Sequence, residues 1–264
     1  MSPLSLYLLA GLGAGVIAGL FGVGGGLILV PVLIWTFQQQ GFAPEIIVHL
    51  ALGTSLAVII ATSLSSIWAH QRRGAILWPV CLQLTPGLML GALCGAYLAK
   101  QLPGFALSRI FALFELFIAW HLLHRTVPAL IQPTHLPRWP LMVSAGVGIG
   151  MISAIVGIGG GSLTVPFLAR CQFTMQRVVA TAAACGLPIA LAGSLGFLLA
   201  GHQAVNLPPG ASGYIYWPGF GGLASCSILS APLGVKLAHC LPSARLKQYF
   251  ALFLGVLGLK MLLF

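Results

Sequence analysis

Gly22-Val23-Gly24-Gly25-Gly26, with Pro31 five residues further on, is the stretch whose reading decides the fold of this chain. It returns as Gly157-Ile158-Gly159-Gly160-Gly161, with Pro166 in the matching place. Each glycine costs a helix roughly 1 kcal/mol relative to alanine, so three in a row mark a break. Both copies nevertheless lie inside long apolar runs. In lipid, non-helical backbone is tolerated only where protein or a water-lined cavity takes over its hydrogen bonds. The two stretches therefore read as breaks in membrane helices and as the candidate substrate site.

Composition supports the membrane setting. The chain has 264 residues, 59% hydrophobic and 5% charged, whereas soluble domains carry about 25% charged residues. Lipid must cover most of its surface. At about 20 residues per spanning helix the length accommodates roughly eight crossings, with no room for a soluble domain. The fold class is all-α: a polytopic, multi-pass membrane protein, for which a bacterial inner membrane is the expected location. The net charge of +10 comes from 12 Lys and Arg against 2 acids, Glu45 and Glu115. Positive-inside topology and lipid headgroups account for most of it. The scarcity of acids also favours an anion over a cation as cargo. Nothing in the chain points to nucleic acid.

Taken in order, Leu4 to Phe37 reads as one broken helix, its first half carrying Gly11, Gly15 and Gly19, a stripe that lets another helix approach closely. Gln38-Gln39-Gln40-Gly41 breaks the run, and Pro44 and Glu45 open a second helix to about Ala69. Arg72-Arg73-Gly74 ends it. A third helix from about Ala75 to Ala99 carries Gly87, Gly91 and Gly95, and a fourth runs from about Ala106 to Leu123. The polar stretch from His124 to Pro140 is the natural linker. This organises the chain as a first unit at 1–124, a linker at 125–140 and a second unit at 141–264.

The second unit repeats the first. The shift that brings Gly22 onto Gly157 also brings Gly11 and Gly15 onto Gly146 and Gly150. Thr54 meets Thr181, Trp78-Pro79 meets Trp217-Pro218, and Leu102-Pro103 meets Leu241-Pro242. The reading is two four-helix repeats, the first helix of each broken at its glycine motif. Spans of the second half are then Leu141–Ala169 (broken), Val178–Ala200, Tyr214–Ala238 and Ala244–Phe264. Tyr214, Tyr216 and Trp217 are expected to form an aromatic belt. With eight crossings, Lys100, Arg109, Arg170, Arg177, Lys236, Arg245 and Lys247 fall on one side. Arg72, Arg73, Arg125 and Arg138 fall on the other, which puts the termini outside. Four crossings per repeat make the repeats parallel; re-entrant motifs would make them inverted.

The candidate binding residues are Gly22, Gly24, Gly25 and Gly26 with Gly157, Gly159, Gly160 and Gly161. Their unhindered amides can form an anion nest, helped by the N-terminus of a following half-helix. The competing reading is close packing alone. Thr54, Ser55 and Thr181, at matching depth, can offer hydroxyls to an oxyanion, or bond within the helices instead. Glu115 is the one deep carboxylate, matched by Leu254 in the other half; it is the candidate for ion coupling or a structural carboxyl. His121 and His124 share a helix, but no further ligand accompanies them, so no metal and no cofactor is expected. His49 and His70 read as interfacial. Six cysteines (Cys81, Cys94, Cys171, Cys185, Cys226, Cys240) are scattered and read as buried thiols. No nucleophile–base constellation and no nucleotide motif appears, so an enzyme is a poor fit.

The chain resembles the TauE/SafE family of membrane permeases, grouped with the toluenesulfonate uptake permeases. The carrying residues are Leu20-Phe21-Gly22-Val23-Gly24-Gly25-Gly26 with Val30-Pro31, and Val156-Gly157-Ile158-Gly159-Gly160-Gly161 with Val165-Pro166. Gly53-Thr54-Ser55, Gly186 to Gly193 and Ala231-Pro232-Leu233-Gly234 extend the likeness over nearly the whole chain. It departs where the pattern has Val-Asp-Trp and this chain has Ile76-Leu77-Trp78, and where Ala182 replaces a serine. The resemblance implies a transporter of sulfur-containing anions such as sulfite or organosulfonates. Expulsion of an anion needs no coupling ion under an inside-negative potential, so export is the expected direction. A proton-coupled importer and a non-transporting scaffold are the rival readings. The partners expected are a small anion and lipid, with a homo-oligomer left open.

Overall fold

A computed structural model describes residues 3–22, 24–124, 138–169, 171, 173–240 and 243–263. Val23, most of the expected linker, Arg170 and Leu241-Pro242 lie outside the described residues. The helices are α1 (Pro3–Phe21), α2 (Gly26–Gln39), α3 (Pro44–Gln71), α4 (Trp78–Gln101) and α5 (Gly104–His124). They are followed by α6 (Trp139–Val156), α7 (Gly161–Ala169), α8 (Met175–Ala200), α9 (Trp217–Cys240) and α10 (Ser243–Leu263). A two-stranded hairpin, β1 (Ala211–Ser212) and β2 (Ile215–Tyr216), precedes α9. Seven of the described helices, namely α1, α3, α4, α5, α6, α8 and α9, are long and apolar enough to cross a membrane. α2 and the Ala251–Leu262 part of α10 are shorter apolar helices. The protein is a polytopic all-α membrane protein.

Glycine stripes fix the helix pairs. Gly11, Gly15 and Gly19 of α1 lie against Leu223, Ser227 and Ala231 of α9. Gly87, Gly91 and Gly95 of α4 lie against Val143, Val147 and Met151 of α6. At each of these positions a Cβ would collide with a neighbouring carbonyl, so only glycine lets the backbones approach so closely. The same pairs give direction, because residue numbers rise together: α1 runs parallel to α9, and α4 to α6. α3 also runs parallel to α9, through Thr54 with Tyr216, Ser65 with Ile228 and Arg73 with Val235. α8 runs parallel to α4, through Thr181 with Leu77 and Gly196 with Ala96. α5 starts beside Pro44 and Glu45, where α3 starts. α10 passes α5 antiparallel, Gly255 at Ala119 and Gly258 at Ala112.

These directions settle the course of the chain at the glycine motifs. α1 and α3 point the same way, so the motif and α2 between them must carry the chain back. Gln40, just past α2, donates to the Tyr7 hydroxyl at 2.7 Å, close to where α1 began. Likewise α6 and α8 point the same way, and α7 brings the chain back between them. The single broken crossing expected for Leu4–Phe37 and for Leu141–Ala169 is thus corrected: each motif is the tip of a re-entrant helical hairpin. The three glycines supply the reversal, with Gly22, Gly24 and Gly25 at φ of 67°, 76° and 82°, in the left-handed region that side chains avoid.

With the chain doubling back, the basic residues redistribute. On the face where α6 enters lie Arg72, Arg73, Arg138, Arg177 and Lys236, joined by Arg245 and Lys247 at the start of α10. On the face where α1 enters lie Lys100, Arg109 and Lys260. This replaces the division made from eight simple crossings.

Two smaller expectations are also corrected. The segment before α9 is no lipid-facing aromatic belt at its tyrosines. Tyr214 stacks on His49 at 5.0 Å and Tyr216 packs edge-on to Phe37 and Phe42. Burial also pushes the Tyr214 phenol above its usual range. His49 and His70, towards the two ends of α3, are buried within the protein, 5% and 1% exposed, and a ring nitrogen of His49 lies 3.1 Å from the Ala99 carbonyl. Of the cysteines, Cys81, Cys171 and Cys185 are buried, but Cys94 is exposed, since it occupies the outward side of α4 between Gly91 and Gly95.

Candidate functional site

The two re-entrant hairpins enter from opposite faces and touch at their tips. A Cβ built on Gly24 would lie 3.3 Å from Gly159 Cα, and one on Gly26 would lie 2.6 Å from the Gly157 carbonyl. Each hairpin tip rests on the long helix of the other half. Gly157 sits against Leu52 of α3, and Gly22 against Val179 and Ala183 of α8. Ser55 Oγ, on α3, donates to the Gly157 carbonyl at 2.9 Å, and Thr62 Oγ1 donates to the Gly24 carbonyl at 3.3 Å. Leu52, Ser55, Ile59 and Thr62 follow helical spacing, so one face of α3 supports both tips near its middle.

Local sequence explains the geometry. α6 ends as the Ile158 amide donates to the Ser153 carbonyl and Gly157 turns left-handed at φ 72°. α2 begins with Gly25 as a left-handed N-cap, its carbonyl accepting from Ile28 and Leu29. α7 begins in the same way at Gly160, whose carbonyl accepts from Leu163 and Thr164. The first four amides of any helix lack intrahelical partners and carry partial positive charge. Both half-helices therefore aim a positive end at the place where the tips meet. Such an arrangement suits an anion.

The sequence-predicted residues divide between two locations. Gly22, Gly24, Gly25, Gly26, Gly157, Gly159, Gly160 and Gly161 form the two tips, and Ser55 braces one of them. Thr54 and Thr181 are placed elsewhere. Thr54 Oγ1 accepts the amide of Tyr216 at 2.9 Å, directly before α9. Thr181 Oγ1 accepts the amide of Leu77 at 3.0 Å, directly before α4, and donates to the Arg177 carbonyl at 2.7 Å. Each threonine thus satisfies the amide at the start of a helix in the other half. Glu115 lies apart from the tips, on α5 where Gly258 of α10 makes room for it. It is fully buried, and among the described residues neither carboxyl oxygen has a hydrogen-bond partner. Among the described residues no three His, Cys, Asp or Glu side chains come together as metal ligands would.

Sequence reasoning missed a set of hydroxyls around the second tip. Ser153, Ser162 and Thr164 are buried, and among the described residues none of their hydroxyls has a hydrogen-bond partner. Ser63 Oγ lies 3.2 Å from a Cβ built on Gly186, which itself abuts the Gly159 carbonyl. The signal that could have found them is a position-by-position comparison of the two motifs for hydroxyls present in only one.

A bundle of membrane helices with two discontinuous hairpins meeting at mid-length is an architecture found among membrane transporters. Known proteins agree. Residues 7–261 match the family described as sulfite exporter TauE/SafE, and the chain belongs to that family. A probable membrane transporter protein of Haemophilus influenzae is 34% identical, covering 98% of this chain and 97% of its own length. Similar proteins with the same description come from Methanocaldococcus jannaschii, 27% identical over 98% of this chain and 96% of its own length. Another is from Bacillus subtilis, 29% identical over 84% of this chain and 87% of its own length. No solved structure matches the chain. The family is one of membrane transporters.

Proposed function

We propose that this protein exports a sulfur-containing oxyanion, sulfite or an organosulfonate such as sulfoacetate, across a bacterial inner membrane. The observation that carries the reading is the meeting of Gly24 with Gly159, which brings the positive ends of α2 and α7 to one place. The family description, sulfite exporter, supplies the substrate class. The basic residues gathered on the face where α6 enters make that face cytoplasmic and leave both termini outside. An inside-negative potential of about 100 mV then favours expulsion by roughly 2.3 kcal/mol per negative charge, and no coupling ion is needed. The reading also takes the two halves, 1–124 and 141–264, as inverted copies of one unit. The reciprocal pairing of α1 with α9 and α6 with α4 supports this. A copy related by a two-fold axis in the membrane plane presents the same hairpin to each side, which is how one site is reached alternately from both.

The test is counterflow in proteoliposomes over sulfite, thiosulfate, sulfoacetate, taurine and small carboxylates. Saturable flux of a sulfur oxyanion, stimulated by a potential negative on the loaded side, is expected. Purified protein that moves none of them would overturn the proposal and favour a scaffold. The orphaned carboxyl of Glu115 supports one rival, a proton-coupled importer, in which Glu115 carries the proton.

A further inference from the structure

The two hairpin tips match in backbone but differ in chemistry at three buried positions of the motif itself. Applying the shift that aligns the glycines, Ser153 of the second copy corresponds to Ala18 of the first. Ser162 corresponds to Leu27, and Thr164 to Leu29. In the first copy these three positions are buried hydrocarbon. In the second they are buried hydroxyls, each without a hydrogen-bond partner among the described residues. Ser153, on α6, is wholly buried, and its Oγ lies 3.3 Å from a Cβ built on Gly160. It is therefore aimed at the residue that caps α7.

The long helices differ at one matched place beside the tips. The first tip is closed by a side chain, since Ile59 Cγ2 comes within 2.9 Å of a Cβ on Gly24. The residue in the matching place on α8 is Gly186, against the Gly159 carbonyl with Ser63 Oγ nearby. Apolar side chains also approach the second tip, Ile189 Cδ1 standing where a Cβ on Gly160 would fall, and at the first tip Thr62 Oγ1 donates to the Gly24 carbonyl; the unpartnered hydroxyls of the motif itself belong to the second. A buried hydroxyl without a partner is costly, and three together around one helix start are retained where a ligand completes their bonding. Hydroxyls and amides donate without carrying charge. An anion held only by them is bound reversibly, as a transporter requires.

We infer that the oxyanion is bound at the second hairpin, by the amide-bearing start of α7 with the hydroxyls of Ser153, Ser162 and Thr164. This rests on the export reading and names the half of the paired motif that does the binding. The ligand class is a small oxyanion with its oxygens grouped at one end, as in sulfite or the head of a sulfonate.

The experiment measures sulfite flux and melting temperature in detergent for Ser153→Ala, Ser162→Ala, Thr164→Val and Thr164→Ser. Loss of one hydroxyl should raise the KM for sulfite about tenfold or more, as expected when a bond to a charged group is lost. The melting temperature should stay level or rise, because a hydroxyl without a partner is removed. Thr164→Ser, which keeps the hydroxyl, should stay near wild type. Wild-type flux with unchanged KM in all three hydroxyl-deleting variants overturns the inference and leaves the export reading standing. A fall in melting temperature in those variants, with KM unchanged, assigns the hydroxyls to structure and overturns it equally. Absence of sulfur-oxyanion flux in the wild type sinks the export reading and this assignment together.

Discussion

Replacing Gly26 by alanine is the sharpest test of whether the two hairpin tips touch. Gly26 is the first residue of α2 and has no left-handed φ, so its backbone accepts alanine without strain. Helix propensity by itself favours the change by about 1 kcal/mol. Against this, the new Cβ would stand 2.6 Å from the Gly157 carbonyl oxygen and 2.8 Å from Ile158 Cα. Both separations are roughly 0.7 Å too short for ordinary contact. The atoms in the way are backbone atoms of the other hairpin, held in place by Ser55 and backed by Leu52. They can yield only if the tips part. Overpacking of this kind costs about 1–3 kcal/mol, so a net loss of up to about 2 kcal/mol is expected, together with most of the anion flux. The comparison is Gly13→Ala and Gly148→Ala, also on helices, where a Cβ would meet nothing within 4 Å. Thermal unfolding in detergent and flux in proteoliposomes read the two effects. If Gly26→Ala melts and transports like the two controls, the hairpins do not meet as described.

Other outcomes follow from single contacts. Ser55→Ala leaves the buried Gly157 carbonyl without its donor and should cost about 1–3 kcal/mol of stability, lowering the melting temperature. Thr54→Val and Thr181→Val each strip a helix-starting amide of its acceptor, at Tyr216 and Leu77; similar losses of about 1–2 kcal/mol are expected, with little change in substrate KM. Glu115→Gln separates the transport readings: export driven by potential should persist with its pH dependence unaltered, whereas abolished accumulation in an uptake assay would favour proton-coupled import. Gly91→Leu forces α4 away from the Val147 carbonyl of α6 and should destabilise by about 3 kcal/mol or prevent folding, measured as yield of monodisperse protein.

Much of the architecture is legible in the chain itself. The stripes Gly11, Gly15, Gly19 and Gly87, Gly91, Gly95 announce close helix contacts, and those contacts exist, although the spacing does not say which helix is the partner. What stayed hidden was direction. Three glycines inside an apolar run suit a straight crossing with an unwound patch as well as a full reversal. What decides is long-range: the bond from Gln40 to Tyr7 and the shared direction of α1 and α3. The matched depth of Thr54 and Thr181 was readable, but their partners were not. A hydroxyl takes whichever donor the fold delivers, and here each takes an amide from the opposite half of the chain. Ser153, Ser162 and Thr164 went unnoticed for a related reason: in a membrane helix a lone serine or threonine reads as a residue bonding to its own preceding turn. Only the packed structure shows that these three do not.

The reciprocal pairing of α1 with α9 and of α4 with α6 has a consequence for biosynthesis. The ribosome delivers α1 first, yet the surface that its glycines are shaped for is supplied by the next-to-last helix. Until α9 emerges, the notched side of α1 faces lipid or an insertion factor. The first half cannot close its own structure and wait, as an independent domain would. Assembly must finish late, with α9 slotting back against the earliest part of the chain, and a truncation before Trp217 would strand α1 without its partner. Separately expressed halves should for the same reason be unstable alone and gain stability only in each other's presence.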